Sequence, residues 1–322
     1  MSVEEIDVIV SFLDVGHGDA AVIRFREGSE LRTIVVDGGG PRHADAVLSY
    51  LLRNTITRVD LMVATHIDRN HLAGLLPVVE SERLTIQNFW GPACESNQPS
   101  VKGLRSADER AYQRLYARVT QRVRPEHILC PHRGMPLPTL FRDCAITVLS
   151  PMRQNVLRPP AEDEEPRKPI DLAAEQNEHA MVLHIECHGL RILLASDLDG
   201  PPLSSLLGDP TLQDFFDIDI LKVPHYGRSH HAVPALRQAL RDHCAAVVSI
   251  ARGDDKAVSR DLLGTLRDLR AEVFCTEHTD AEAYCANPHC RAAKGGQNIV
   301  FFYRHGAPSF TPSADACALT LG

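Results

Sequence analysis

Leu61-Met62-Val63-Ala64-Thr65-His66-Ile67-Asp68-Arg69-Asn70-His71-Leu72-Ala73-Gly74 is the stretch whose reading decides the fold. Leu61 to Ala64 is a short apolar run, the pattern of a buried strand. It passes directly into a polar cluster, and His71 to Val79 reads as the helix that follows. His66, Asp68, Asn70 and His71 fall within six residues. Residues two apart in a loop can face the same way, and a histidine opening a helix can turn its ring back toward them. Imidazole nitrogens and carboxylate oxygens are ligands for Zn, Mn or Fe. The same run also reads as a polar loop capping a helix, with Asp68 or Asn70 at the N-cap.

Upstream, the first forty residues read as β: Val8 to Leu13, Ala20 to Phe25 and Thr33 to Val36, punctuated by Gly16, Gly18 and Gly38 to Gly40. Residues 43–53 have helical spacing, and 103–124 read as an exposed helix. Residues 158–171, proline-rich and acidic, read as a mobile surface loop. The second half alternates again. Strands are expected at 181–186, 191–195, 218–223, 246–250, 272–275 and 299–303, and helices at 232–242 and 261–270. Two halves of this kind predict an α/β chain folded as a layered αββα sandwich, with polar strand-end loops from both halves converging on one edge. The expected organisation is one domain over 1–322, with a surface insertion around 91–170 and a Cys/His-rich insertion at 275–296.

Two further residues repeat the strand-end placement. Asp197 follows the strand Ile192 to Ala195, and His225 follows Ile220 to Val223. Singly they read as a turn aspartate and a loop histidine. Together with the 65–71 run they make three strand-end sites of one chemistry.

These pieces resemble the metallo-β-lactamase superfamily, and more narrowly its ComEC-like hydrolase branch. The matching segments are Phe12-Leu13-Asp14-Val15-Gly16-His17-Gly18-Asp19, Val35-Val36-Asp37-Gly38-Gly39, the run Thr65 to Gly74, Leu193-Leu194-Ala195-Ser196-Asp197 and Leu221-Lys222-Val223-Pro224-His225-Tyr226-Gly227. The resemblance implies the four-layer αββα metallo-β-lactamase sandwich and a hydrolase using one or two divalent ions, Mn or Zn, with Mg also admissible. Carried over residue by residue, His66, Asp68, His71, Asp197 and His225 are the implied metal ligands, and Asp197 is the bridging carboxylate. Asp37 supports the site. Lys222 and Ser229 match groups that contact phosphate, and Asn177 matches a polar residue ahead of a central strand. Asp68, Asn70 and Lys222 are the expected catalytic side chains. The chain departs from the family at Asn70, where aspartate is usual, at His17, where the branch has glutamine, and at Tyr226 and Arg228, where it has histidine and serine.

The implied activity is a phosphodiesterase or nuclease acting on nucleic acid or a nucleotide. The alternative is a catalytically weakened member of the fold serving as a binding or regulatory subunit with a protein partner in a larger system. The formal net charge of −8 argues against strong non-specific DNA affinity. No apolar run reaches the length of a membrane span. The acidic start Met1-Ser2-Val3-Glu4-Glu5 lacks a secretory pattern, so a cytoplasmic protein is expected. Nine cysteines, an odd number, predict thiols in a reducing compartment rather than a disulfide framework. Cys275, His278, Cys285, His289 and Cys290 crowd one segment. Cys275, His278, Cys285 and Cys290 have spacing admissible for a structural zinc, and they read equally as buried thiols beside unrelated histidines.

Overall fold

The first three strands, β1 (Val8–Phe12), β2 (Ala21–Glu27) and β3 (Glu30–Val36), form an antiparallel meander whose successive residues face opposite apolar layers. Val8, Val10 and Phe12 face one core, while Ile9 turns the other way against Ile6, Val300 and Phe302. The computed structural model describes residues 6–92, 107–153, 176–228, 233–240, 244–250, 258–278, 291–294, 298–305 and 311–313. After β3 the pairing becomes parallel. β4 (Arg58–Val59) pairs with β6 (Thr85–Ile86) in a small separate ladder, while β5 (Leu61–Val63), β7 (Phe89–Trp90) and β8 (Ile128–Leu129) extend the main sheet beyond β3.

The second sheet starts with the antiparallel strands β9 (Cys144–Ser150), β10 (Val182–Cys187) and β11 (Leu190–Leu194). It continues in parallel through β12 (Ile220–Lys222), β13 (Ala245–Val248), β14 (Glu272–His278) and β15 (Arg291–Lys294). The chain then returns to the first sheet. There β16 (Ile299–Tyr303) pairs with β1, and β17 (Thr311–Ser313) pairs with β16.

The two mixed sheets stack through a shared apolar layer that includes Phe12, Phe25, Ile34, Leu183, Ile192 and Phe274. Helices Ala46–Arg53, Leu75–Glu80 and Ala107–Arg122 cover the outer face of the first sheet. Helices Gly200–Leu207, Val233–Ala239 and Arg260–Asp268 cover that of the second. This is the four-layer αββα sandwich expected from the sequence. No helix among the described residues is long and apolar enough to cross a membrane.

Within 91–170, expected as a surface insertion, the described residues include β8 at an edge of one sheet and β9 at an edge of the other. Helix Ala107–Arg122 also buries Tyr112, Leu115, Tyr116 and Val119 rather than lying wholly exposed. The cysteine expectation is corrected at one pair. Antiparallel register sets Cys144 opposite Cys187 on β9 and β10, with Cα atoms 4.2 Å apart, and the two sulfurs are bonded. Counting cysteines cannot reveal a pair joined across 43 residues by strand register. Cys275 is a buried thiol, its pKa pushed up to about 12 by burial. Cys285, His289 and Cys290, the side chain of His278 and the 158–171 loop lie outside the described residues, as do His230 and His231.

The helix expected from His71 to Val79 is broken in two, Arg69–Leu72 and Leu75–Glu80. The cause is a close backbone approach. A Cβ on Gly74 would lie 1.9 Å from the Gly38 carbonyl oxygen, and one on Gly38 would lie 2.4 Å from the Leu75 nitrogen. Gly74→Ala is therefore expected to destabilise the protein by about 1–3 kcal/mol, because the backbone itself must shift. Gly264, inside the helix Arg260–Asp268, has nothing within 4 Å of its would-be Cβ. Gly264→Ala is expected to stabilise by about 0.5–1 kcal/mol through helix propensity. Denaturant unfolding of both variants checks the opposite signs, and equal midpoints for the two would contradict the packing argument.

Candidate metal centre

Register brings the strand-end residues together. Val36 pairs with Val63 across the parallel β3–β5 ladder, so Asp37 and Thr65 leave the sheet side by side. Leu194 pairs with Lys222 across β11–β12, so the Ser196–Asp197 turn and His225 leave the other sheet side by side. Backbone hydrogen bonds fasten the four turns. Asp37 N donates to Val63 O at 2.9 Å, His225 N to Ser196 O at 2.9 Å, and Met181 N crosses between sheets to Thr65 O at 3.0 Å. Of seven non-glycine residues with positive φ among those described, four lie here: Asp37, Ser196, His225 and Tyr226. Backbone strain of this kind costs about 1–3 kcal/mol per residue and gathers where side chains must be aimed.

His66, His71 and Asp197 form a buried group whose donor atoms all lie within 4.8 Å of one another. The hydrogen bonds behind it fix both imidazole tautomers. Asp37 accepts from Thr65 N at 2.8 Å, from the Thr65 hydroxyl at 2.7 Å and from His71 Nδ1 at 2.8 Å. Since the Thr65 proton goes to Asp37, its Oγ1 accepts from His66 Nδ1 at 3.0 Å, and Ser196 Oγ closes on Thr65 Oγ1 at 2.6 Å. The Nε2 atoms of both rings are thereby directed at Asp197, whose Oδ2 is 3.3 Å from His71 Nε2 and 3.9 Å from His66 Nε2. His66 Nε2 and Asp197 Oδ1 are buried with no hydrogen-bond partner. Orphaned buried atoms of this kind are costly, and both belong to the group that could hold a metal ion. Two imidazoles backed through Nδ1, with one carboxylate, suit a divalent ion.

Electrostatics agree. Burial opposes charge on His71, yet Asp197 and Asp37 on either side outweigh it and raise its pKa well above the ordinary histidine value. Burial, with His71 as a charged neighbour, pushes His66 down to about 3. Burial would raise Asp197, but the His71 contact outweighs it and holds the carboxyl well below the usual range. One imidazole of the group, His71, is thus charge-compensated, while charge on the other, His66, is opposed.

The other expected residues are placed as follows. Asp68 is the N-cap of Arg69–Leu72, accepting from Asn70 N at 2.7 Å, so the capping reading of this loop is realised beside the histidine group. Burial pushes the Asp68 carboxyl up, partly offset by that N–H. Asn70 lies against the glycine loops, its backbone carbonyl filling the space a Gly18 Cβ would need. His225 stands outside the three-residue group, with Nδ1 held 2.9 Å from Asp199 Oδ2. Lys222, expected at a phosphate, is buried, with Nζ 2.8 Å from Asp19 Oδ1 and donating to Val223 O. Asn177 sits in the short turn Gln176–His179 ahead of β10, and Ser229 lies outside the described residues.

Four residues given no role from the sequence shape the site: Thr65, Ser196, Asp19 and Asp199. Tyr226 was marked there only as a departure, and it is buried with its hydroxyl 2.6 Å from His71 Nε2. His17 lies tilted against its ring at 4.6 Å between centroids, and Arg228 lies 5.3 Å from the ring centre and 3.4 Å from His17 Nδ1. Burial and the charges of Asp197, Asp19 and Asp68 raise the Tyr226 pKa well above the ordinary phenol value.

No protein-family model matches the chain, and no curated protein matches it. Among solved structures it is similar to the metallo-β-lactamase fold protein YhfI from Bacillus subtilis, at 11% identity over 91% of this chain and 99% of that one, with a TM-score of 0.45. It is similar to Zn(2+)-bound PqqB from Methylobacterium extorquens at 12% identity over 90% and 99%, with a TM-score of 0.45. A metallo-β-lactamase-like protein from Thermotoga maritima matches at 15% identity over 69% and 97%, with a TM-score of 0.37. The architecture of this chain is two mixed sheets flanked by helices, an αββα sandwich.

Proposed function

We propose that this chain is a metal-dependent hydrolase acting on a phosphodiester, in nucleic acid or a nucleotide. The observation that carries the reading is the orphaned pair His66 Nε2 and Asp197 Oδ1 inside the buried His66–His71–Asp197 group. These three residues would hold a divalent ion, Mn or Zn. Bound there, the ion supplies Lewis acidity and draws the pKa of a coordinated water from about 16 toward about 7. Thr65 and Asp37 hold the imidazoles in the tautomers that leave Nε2 available. Asp68 and His225 are the proposed ligands of a second ion, with Asp68 the proposed proton acceptor. Arg228, stacked beside the group, supports phosphate over a neutral ester, because a guanidinium pairs with phosphate oxygens in fork geometry. Lys222 serves the site indirectly, neutralising Asp19 beneath it.

Asn70 and the commitment of Asp68 to a helix cap favour a second reading, a catalytically weakened binding subunit. Protein purified without chelator is expected to carry Mn or Zn and, with added Mn, to cleave bis-p-nitrophenyl phosphate and at least one of linear DNA, single-stranded DNA and RNA. Absence of metal would overturn the enzyme reading. Bound metal without phosphodiester cleavage, persisting in Asn70→Asp, would overturn the substrate class and favour the binding subunit.

A further inference from the structure

We propose that Tyr226 is a fourth protein ligand of the metal centre, joining His66, His71 and Asp197. The inference rests on the metal site proposed above and extends its donor set.

The argument is geometric. The phenol oxygen lies 2.6 Å from His71 Nε2, the ring nitrogen that Asp37 leaves for coordination by engaging Nδ1. Two ligands on one tetrahedral ion at 2.0–2.1 Å stand about 3.3 Å apart. His71 Nε2 and Asp197 Oδ2 already stand 3.3 Å apart, and Tyr226 needs only a small outward movement to take a neighbouring corner. The hydroxyl thus stands directly against one donor atom of the group.

The backbone is bent to put it there. His225 and Tyr226 both have left-handed φ, 45° and 55°, directly after the β12 strand end. Consecutive non-glycine residues in that region are strained. The ring is also gripped. His17 packs against it at a tilt, and Lys222 Nζ and the Arg228 guanidinium lie 5.8 and 5.3 Å from its centre. Burial and the carboxylates of Asp197, Asp19 and Asp68 oppose negative charge on its oxygen. An ion at the group would in turn offset the carboxylates of Asp197, Asp19 and Asp68, which face the phenol.

The donor set has a chemical consequence. Asn70 stands where the resembling family carries a carboxylate. Tyr226 returns a hard anionic oxygen to the centre from the opposite sheet, giving two imidazoles, a carboxylate and a phenolate. That set favours hard ions over the soft ones a thiolate site would select.

Fe(III), supplied as its nitrilotriacetate complex, serves as a chromophoric probe. The full-length wild-type chain is expected to take up one equivalent and to develop a visible phenolate-to-iron charge-transfer band. Tyr226→Phe, with an unchanged circular dichroism spectrum, is expected to lose the band and to bind Zn(II) at least tenfold more weakly. Tyr50→Phe, at a buried tyrosine that hydrogen-bonds Ser11 away from the centre, is expected to keep the band. An identical band in wild type and Tyr226→Phe, or iron bound by the wild type with no band, overturns the ligand role and leaves the three-residue site standing. No Fe(III), Zn(II) or Mn(II) bound by the wild type overturns both readings together. If Tyr226→Phe fails to fold, resonance Raman of the wild-type iron complex decides: tyrosinate ring modes support the assignment, and their absence overturns it.

Discussion

Asp197→Asn is expected to bring metal content from about one equivalent to near zero, and to lower any hydrolysis of bis-p-nitrophenyl phosphate at least about a thousandfold. Asp197 is the sole carboxylate in the clustered group, and its Oδ2 faces both ring nitrogens. The amide is nearly isosteric, so packing around the turn is preserved while the anionic donor is lost. A neutral carbonyl beside two imidazoles deprives a divalent ion of its carboxylate charge compensation in a buried pocket. The fold is expected to survive, because the layers are held by apolar residues of both sheets well away from this turn. Elemental analysis, with a thermal melt as the control, reads the result. Retention of a full equivalent of metal by a folded Asp197→Asn protein would show that the cluster is not the metal centre.

The second large effect is expected at a residue that touches no metal. Asp37 receives three donors at once, the Thr65 N–H, the Thr65 O–H and the His71 Nδ1–H. It is buried, and burial pushes its carboxyl up, with His71 and Thr65 drawing it back. Asparagine offers one acceptor oxygen and, in place of the other, an NH2 group facing donors. At least one buried donor then loses its partner, and His71 loses half of the charge that stabilises it. Asp37→Asn is expected to cost about 3 kcal/mol of stability and to weaken Zn(II) binding about 10–100-fold by releasing both imidazoles from their tautomers. Denaturant midpoints and a competition titration with a chromophoric chelator test the two halves separately. A variant as stable as wild type, with unchanged Zn(II) affinity, would mean that the Asp37–Thr65–His71 network contributes nothing.

The first-sheet part of this site was legible because it is local. His66 and His71 are five residues apart, after a short continuous apolar strand, and Asp37 follows another such strand. Asp197 was legible by analogy of placement. What escaped has a common physical cause. Tyr226 meets His71 across 155 residues, and Lys222 meets Asp19 across the two sheets. Contacts of that kind depend on how sheets stack, which no short-range pattern encodes. Lys222 illustrates what such contacts hide. A lysine ahead of a strand-end histidine reads as a cation for the substrate, yet strand register turns it inward, where a buried aspartate claims it. The broken helix after His71 has the same origin, since only the approach of the Gly38 turn explains why Gly74 interrupts it. Thr65 was in plain view and went unassigned. A hydroxyl next to a candidate ligand gives no sign of acting until its partners are known.

The return of β16 to the side of β1 sets the order in which this molecule can be completed during synthesis. Val8–Phe12 leaves the ribosome early, and β2 can zip onto one of its edges at once. Its other edge has no partner until Ile299–Tyr303 has been translated. At roughly 5–20 residues per second, that leaves an apolar strand edge open for some 15–60 seconds. An exposed edge of that composition is a template for pairing with another nascent chain. Synthesis rate and chaperone supply are therefore expected to govern the yield of this protein more strongly than the stability of its finished fold.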